Sequence, residues 1–298
     1  MPTLRDTIKE TVRHHLTQRG GIAMGQCLTA VGWVGGTLPE LYEKDGMVEL
    51  SMADVAGGGI AVGAALAGKR PMYIIRYQGF NWYNSPMIAN YAAKSKEIWG
   101  VPCPMFVRSI AMEGGIGPVA GSSHHSLYYR MPGLKIFSPM TPGEYQYVYE
   151  KFMSEDEVYY VSEHRGAYNN TDEMFNVYNE KADITLFPIS ITRFAARDAA
   201  IELRKEGIKV DVCHVLQIKP FEPGEMDISS LKFSGKGIVL DDDYVDGIAK
   251  SLAFDLNKLT GADVHVMGLE DKTAGFYSQV DNLPPNKDAI IKKIKEML

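Results

Sequence analysis

Three short stretches of the chain hold residues that could do chemistry. The first runs Ala53-Asp54-Val55-Ala56-Gly57-Gly58-Gly59-Ile60-Ala61-Val62-Gly63. Its single acid, Asp54, stands where a strand ends and an apolar helix begins. It either caps that helix or works in a crevice at the carboxyl ends of strands. The glycines invite a dinucleotide-fold reading. However, the spacing Gly57, Gly59, Gly63 is one residue longer than the common fingerprint, and Arg76-Tyr77-Gln78 stands where a ribose-binding acid would follow the next strand. Close approach of a helix to its neighbours accounts for Gly59, Gly63 and Ala64 without a ligand.

The second stretch is Gly121-Ser122-Ser123-His124-His125-Ser126, preceded by Gly114-Gly115-Ile116-Gly117. Adjacent histidines suggest a metal, but no carboxylate or cysteine spacing completes a ligand set. The Ser-His neighbours lack the G-x-S-x-G elbow of a hydrolase, and neighbours in sequence do not make a triad. Imidazole titrates near neutrality, so proton transfer or stabilisation of an oxyanion suits His124 and His125 better; the alternative is a pair of solvated loop histidines. The third stretch, Gln78-Gly79-Phe80-Asn81-Trp82-Tyr83, sets aromatics at a strand end. They are either core or, at Phe80, a platform for a flat ring.

Alternating strand and helix patterns must position these groups. Strand-like runs at 46–50, 71–75, 105–108 and 134–137 alternate with helical ones at 59–68, 85–98 and from Thr141-Pro142 onward, with a loop over 113–126. The spacing of Leu4, Ile8, Val12 and Leu16 predicts an amphipathic opening helix. After a polar, acidic segment between Tyr168 and Asp183, a second unit follows. It has strands at 184–189, 209–216, 237–240 and 264–267 and helices at 193–206 and 287–298. The expected fold is α/β, with two domains built on parallel sheets: 1–170, a linker 171–183, and 184–298.

Composition narrows the function further. The 298 residues are 45% hydrophobic and 23% charged, enough to bury a full core. Acidic residues exceed basic ones, 37 to 31, which argues against nucleic acid or a membrane surface as partner. The apolar stretch from Val55 to Gly68 is too short to cross a bilayer, and the opening segment lacks a secretory apolar region. Cys27, Cys103 and Cys213 show no paired spacing, so neither disulfides nor a zinc cluster is expected and the cytoplasm is the expected location. Asp241-Asp242-Asp243, after the strand 237–240, reads as a solvated cluster at a strand end, with a metal site as the alternative.

Taken in order, these pieces resemble the β subunit of the E1 component of 2-oxo acid dehydrogenases. That subunit is the pyrimidine-binding plus C-terminal half of the transketolase-like thiamine diphosphate enzymes. The resemblance is carried by Arg5-Asp6-Thr7-Ile8, Met24-Gly25-Gln26, the block from Gly59 to Pro71, Asn90-Tyr91-Ala92-Ala93-Lys94, His125-Ser126, Pro132-Gly133-Leu134-Lys135, Ser138-Pro139 and Ser162-Glu163-His164. It covers nearly the whole chain and implies a thiamine diphosphate (pyrimidine) fold followed by a transketolase C-terminal-like domain. The family's acid, which meets the aminopyrimidine ring nitrogen, corresponds to Asp54. Phe80 takes the stacking position, Met52 borders the cofactor, and His124 and His125 face the substrate, with His125 catalytic.

No G-D-G…N motif occurs in the chain. The resemblance therefore implies an α-type partner that holds the diphosphate and Mg²⁺, in an α2β2 heterotetramer. It also implies a small carbonyl substrate and, in the E1 case, a lipoyl domain as acceptor. The family has glutamate where this chain has Asp54, which is shorter by about 1.5 Å, and misplacement by about 1 Å can cost on the order of 100-fold. Three readings follow: the backbone compensates, Glu49 serves instead, or the chain is a repurposed member. The loop from His125 to Pro132 is also shorter than in E1 β subunits, and Gly121-Ser122-Ser123-His124-His125 resembles the G-x-S-H of transketolases. The reading preferred on sequence is 2-oxo acid decarboxylation with acyl transfer. The alternatives are a split transketolase moving ketol or aldehyde groups, a non-catalytic paralogue, and a nicotinamide-dependent oxidoreductase.

Overall fold

The computed structural model describes residues 1–113, 119, 121–275 and 279–298. The chain divides into two compact units, one holding residues 1–112 and the described residues up to 173, the other holding 174–298. The expected glycine run Gly114 to Gly117 lies outside the described residues.

In the first unit, α1 (Leu4–Thr17) precedes β1 (Ile22–Gln26), β2 (Met47–Leu50), β3 (Pro71–Ile75), β4 (Met105–Ala111), β5 (Leu134–Phe137) and β6 (Val158–His164). These strands are parallel in the order β2-β1-β3-β4-β6-β5. From β1 the chain first moves to β2 on one side and then to β3 on the other. The order reverses between β1 and β3, and a sheet of this kind binds ligands at that crevice, outside the carboxyl ends. Strands β3, β4 and β6 are buried at every position, as central parallel strands must be when both faces are covered.

The helices follow their local signals. Thr3 caps α1, its hydroxyl accepting from the Asp6 amide at 3.1 Å while Asp6 reaches back to the Thr3 amide. Helix α7 (Pro142–Ser154) opens with Thr141 as its cap and proline in its first turn. Helix α3 (Asp54–Leu66) begins five residues before the helical run read from sequence. The expected helix 85–98 is three pieces, α4 (Asn81–Met87), a π-helical turn (Ile88–Ala92) and α5 (Ala93–Trp99). Gly133, at φ +79°, lets the Pro132-Gly133-Leu134-Lys135 motif lie against the Asn90–Lys94 one, since a Cβ there would fall 1.8 Å from the Ala93 carbonyl oxygen.

One element has no sequence signal. Residues Val31, Gly32, Trp33, Val34 and Gly35, within α2 (Ala30–Gly36), wind with φ between +52° and +65°, a left-handed turn. This hand costs L-residues roughly 1–2 kcal/mol each, so other contacts must hold the turn. Before it, Glu49 accepts from the Thr29 amide at 3.2 Å and hydroxyl at 2.9 Å; after it, Arg108 donates to Thr37 Oγ1 at 3.1 Å.

The second unit has β7 (Ile184–Pro188), β8 (Val210–Val212), the short β9 (Gln217–Lys219), β10 (Lys236–Tyr244) and β11 (Asp263–Leu269), of which four run parallel in the order β11-β10-β7-β8. Its core joins Leu186, Leu203, Ile238 and Leu240 to Ile290 and Ile294 of α11 (Lys287–Met297). Helices α8 (Thr192–Lys205) and α10 (Ile248–Thr260) complete its layers. The polar segment after Tyr168 is not a free tether. Glu173 accepts from the Gly143 amide at 2.7 Å, and Val177 bridges Val212 of the second unit's sheet. Asp241, Asp242 and Asp243 are buried inside β10 rather than solvated at its end, and Ser190 donates to Asp242 at 2.9 Å. No described helix is long and apolar enough to cross a membrane.

Candidate active site

A cavity of about 160 Å³ opens at the point where the first unit's strand order reverses. It is lined by Gln26 at the end of β1 and Cys27 past it, by Met52 and Asp54 past β2, by residues from Tyr73 to Tyr77 along β3 and past its end, and by Phe80 and Asn84. Residues singled out from two separate regions of the sequence, Met52 with Asp54 and Phe80, thus meet around one space. Asp54 is half-buried and Phe80 likewise, while Met52 is 80% exposed at the rim.

Asp54 is the first residue of α3, and Ala53 is its N-cap. Its side chain makes no capping bond; one oxygen instead accepts from Asn84 Nδ2 at 2.9 Å. The helix start favours a negative charge there through the orphan amides and the dipole. Helix α3 already contains Gly57, Gly59 and Gly63, and the Gly57 amide donates to the Ala53 carbonyl. The glycines therefore form no phosphate-cradling turn, and the nicotinamide reading fails on geometry. The close approaches fall at Gly57 and Gly58, whose added Cβ atoms would meet Tyr73 Oη at 3.0 Å and Met87 Cβ at 3.2 Å. Gly63, one of the positions expected to be tight, has open space.

Glu49 does not line this cavity; its carboxylate is engaged by Thr29, which leaves Asp54 as the cavity's acid. The Gln78–Tyr83 segment inverts the core reading. Trp82 and Tyr83 are exposed, whereas Gln78 and Asn81 are fully buried. Gln78 Nε2 donates to Ser162 Oγ at 2.7 Å, and its Oε1 accepts from the His124 amide at 2.6 Å and from Tyr160 at 3.2 Å. Asn81 donates to Tyr160 Oη at 2.6 Å and accepts from Ser109 at 3.1 Å. His125 is buried, with Nδ1 3.2 Å from Ser162 Oγ. His124 is half-buried, edge-on to Trp82.

The two histidines stand outside the cavity wall but hang on the same buried polar network as the turn before Phe80. Satisfied networks of this kind fix geometry, because a buried polar group left unpaired is costly. Gln78 is their shared anchor, a role the aromatic reading of 78–83 does not assign to it. Its signal was an amide between a continuous apolar strand and a helix.

Asn84 and Tyr73 were also missed. Tyr73 lies in the fully buried β3 and donates to Asn84 Oδ1 at 2.6 Å. Burial, with the nearby Asp54 carboxylate second, holds its phenol far above the ordinary tyrosine range, so it remains a donor.

Residues 3–171 match the transketolase pyrimidine-binding-domain family. The chain belongs to that family. The chain is similar to proteins named as β subunits. It is 25% identical over 234 residues to the β subunit of acetoin:2,6-dichlorophenolindophenol oxidoreductase from Cupriavidus necator, covering 72% of this chain and 68% of that one. It is 26% identical over 285 residues to the 2-oxoisovalerate dehydrogenase subunit beta of Bacillus subtilis, covering 82% and 84%. Among solved structures, a split-gene transketolase described as an inactive β4 tetramer superposes with a TM-score of 0.77 at 14% identity, over 99% of this chain and 98% of that one. The family is thiamine diphosphate-dependent.

Proposed function

We propose that this chain supplies the pyrimidine half of a thiamine diphosphate site, completed by an α-type subunit in an α2β2 assembly. One observation carries the reading: Asp54, Phe80 and Met52 converge on a single cavity where the strand order of the sheet reverses. The site fits the ring. It offers a carboxylate with one oxygen held by Asn84, an aromatic beside it, and walls that are largely apolar. When bound, thiamine diphosphate supplies a nucleophilic carbon and an electron sink next to the substrate carbonyl.

The residues of this chain have distinct tasks. Asp54 holds a proton at the ring nitrogen, accepting through the oxygen that Asn84 does not occupy. Phe80 would hold the ring through its face and Met52 would border it at the rim of the cavity. His125, held through Nδ1, donates or withdraws a proton at the substrate oxygen, with His124 beside it. The diphosphate and Mg²⁺ belong mainly to the partner, a division supported by the missing G-D-G…N motif. The substrate is a small 2-oxo acid, decarboxylated with transfer of its acyl group to a lipoyl domain. Gly121-Ser122-Ser123-His124 supports a second reading, ketol or aldehyde transfer between small carbonyl compounds. Free Cys27, Cys103 and Cys213 suit the reducing cytoplasm.

Calorimetric titration with thiamine diphosphate and Mg²⁺, on the chain alone and co-purified with an α-type subunit, tests this reading. Binding in the complex but not in the chain alone is the expected result. Absence of binding in both would end it. Product analysis of the loaded complex then separates an acyl-lipoyl domain from a new ketol.

A further inference from the structure

Asn84 touches two of the three residues assigned to the cofactor ring. Its amide nitrogen donates to Asp54 Oδ1 at 2.9 Å and to the Phe80 carbonyl at 3.0 Å, and its oxygen accepts from Tyr73 Oη at 2.6 Å. The side chain is 1% exposed. We propose that Asn84, locked by Tyr73, is the positioning residue that aims the short carboxylate of Asp54 and fixes Phe80 at the same time. This inference rests on the thiamine diphosphate reading above.

Only one amide orientation satisfies all three contacts. A carboxylate and a backbone carbonyl can only accept, so the NH₂ must face them both. The oxygen then faces Tyr73, whose phenol keeps its proton and donates. With both amide hydrogens committed, a rotated Asn84 would set its carbonyl oxygen against two acceptors, the Asp54 carboxylate and the Phe80 carbonyl, and lose both bonds. One carboxylate oxygen of Asp54 is thereby pinned toward Asn84, and the other is left for the cavity.

Phe80 and Asn84 are linked through one helical turn, i to i+4, so the acid and the aromatic move together. The glycines of α3 make room for this arrangement. A Cβ at Gly57 would press on Tyr73 Oη at 3.0 Å, and one at Gly58 would reach Asn84 Oδ1 at 3.5 Å. The glycine run and the short acid are therefore parts of one device. An aspartate gives up about 1.5 Å of reach relative to glutamate, and this clamp restrains the direction in which the remaining reach is spent.

The test uses the co-purified complex loaded with thiamine diphosphate and Mg²⁺. Three quantities are read: cofactor affinity, the near-ultraviolet circular-dichroism bands of the bound aminopyrimidine, which report its tautomer, and deuterium exchange at the thiazolium C2–H. For Asn84→Ala, affinity should change by less than about fivefold while C2–H exchange slows by at least about tenfold and the bands shift, since a misaimed acid costs rate more than binding. Adding Asp54→Glu to Asn84→Ala should recover exchange and bands in part, because a longer acid needs less aiming. Tyr73→Phe, which keeps its shape and removes only the lock, should move both readouts the same way by less, and it serves where Asn84→Ala does not fold.

Unchanged bands with no recovery on adding Asp54→Glu would overturn the proposal and leave Asn84 a packing residue. Failure of the wild-type complex to bind the cofactor would instead remove the functional reading, and this inference with it.

Discussion

Two carboxylates in the first unit, Asp54 and Glu163, are treated in opposite ways. Glu163, on β6, is 1% exposed and saturated. Arg108 of the adjacent β4 grips it at 2.6 and 2.9 Å, Tyr168 donates at 2.8 Å and Tyr145 at 3.2 Å. Asp54 is half-buried at a helix start, accepts from one side-chain donor, Asn84, and lines the cavity. A buried charge must be paired and hydrogen-bonded or it destabilises the fold. An acid meant to engage a ligand needs unspent acceptor capacity. Glu163 therefore reads as architecture: through Arg108 and Thr37 it also anchors the left-handed turn at 31–35. Asp54 reads as chemistry.

Exchanging the two roles by mutation should give opposite signatures. Asp54→Ala should lower turnover of the assembled enzyme by at least about 100-fold, the scale expected when a reacting geometry loses a group. Its denaturant midpoint should stay near wild type; a large loss of stability with turnover intact would reverse the assignment. Glu163→Leu or Arg108→Met alone should cost about 3–5 kcal/mol of unfolding free energy, because each strands a buried charge. The double variant should be less destabilised than the sum of the two, and a denaturation double-mutant cycle measures the difference. Strict additivity would show that the pair is not coupled.

A smaller effect separates acid sensitivity of the fold from acid sensitivity of the site. His15 is buried in α1, with Nε2 against the Arg70 carbonyl at 2.8 Å and Nδ1 3.1 Å from Tyr149 Oη. Burial pushes its pKa down from 6.5 to about 4. The unfolded chain therefore binds the extra proton between pH 6.5 and 4, so stability is whole above that window and falls as pH drops through it. His15→Gln should flatten the stability-versus-pH curve there while leaving the slope below pH 4. An unchanged slope would place the acid-sensitive group elsewhere.

Much of this frame was legible in the residues. The strands 71–75 and 134–137 were read with their observed bounds, because continuous apolar runs flanked by breakers have few other solutions. Asp54, Phe80 and Met52 were found as ordered pieces of a family pattern, and parallel topology brings them together. What stayed hidden depends on geometry that sequence spacing does not report. Asn84 meets Asp54 thirty positions away through the packing of α4 on α3, and Tyr73 looked like one more apolar strand residue. Arg108 and Glu163 lie 55 positions apart, joined only because β4 pairs with β6. The left-handed turn defied local preference altogether: Val31, Trp33 and Val34 are side chains that disfavour positive φ, held there by tertiary anchors. In β10 three aspartates are buried where charge alone suggests solvent.

The most direct measurement is a structure of the chain co-purified with its α-type partner and loaded with thiamine diphosphate and Mg²⁺. The account predicts the aminopyrimidine in the β1–β3 crevice, its ring nitrogen within hydrogen-bonding distance of the Asp54 oxygen not held by Asn84, and Phe80 on its face. A ring seated elsewhere, with Asp54 open to solvent, would contradict it.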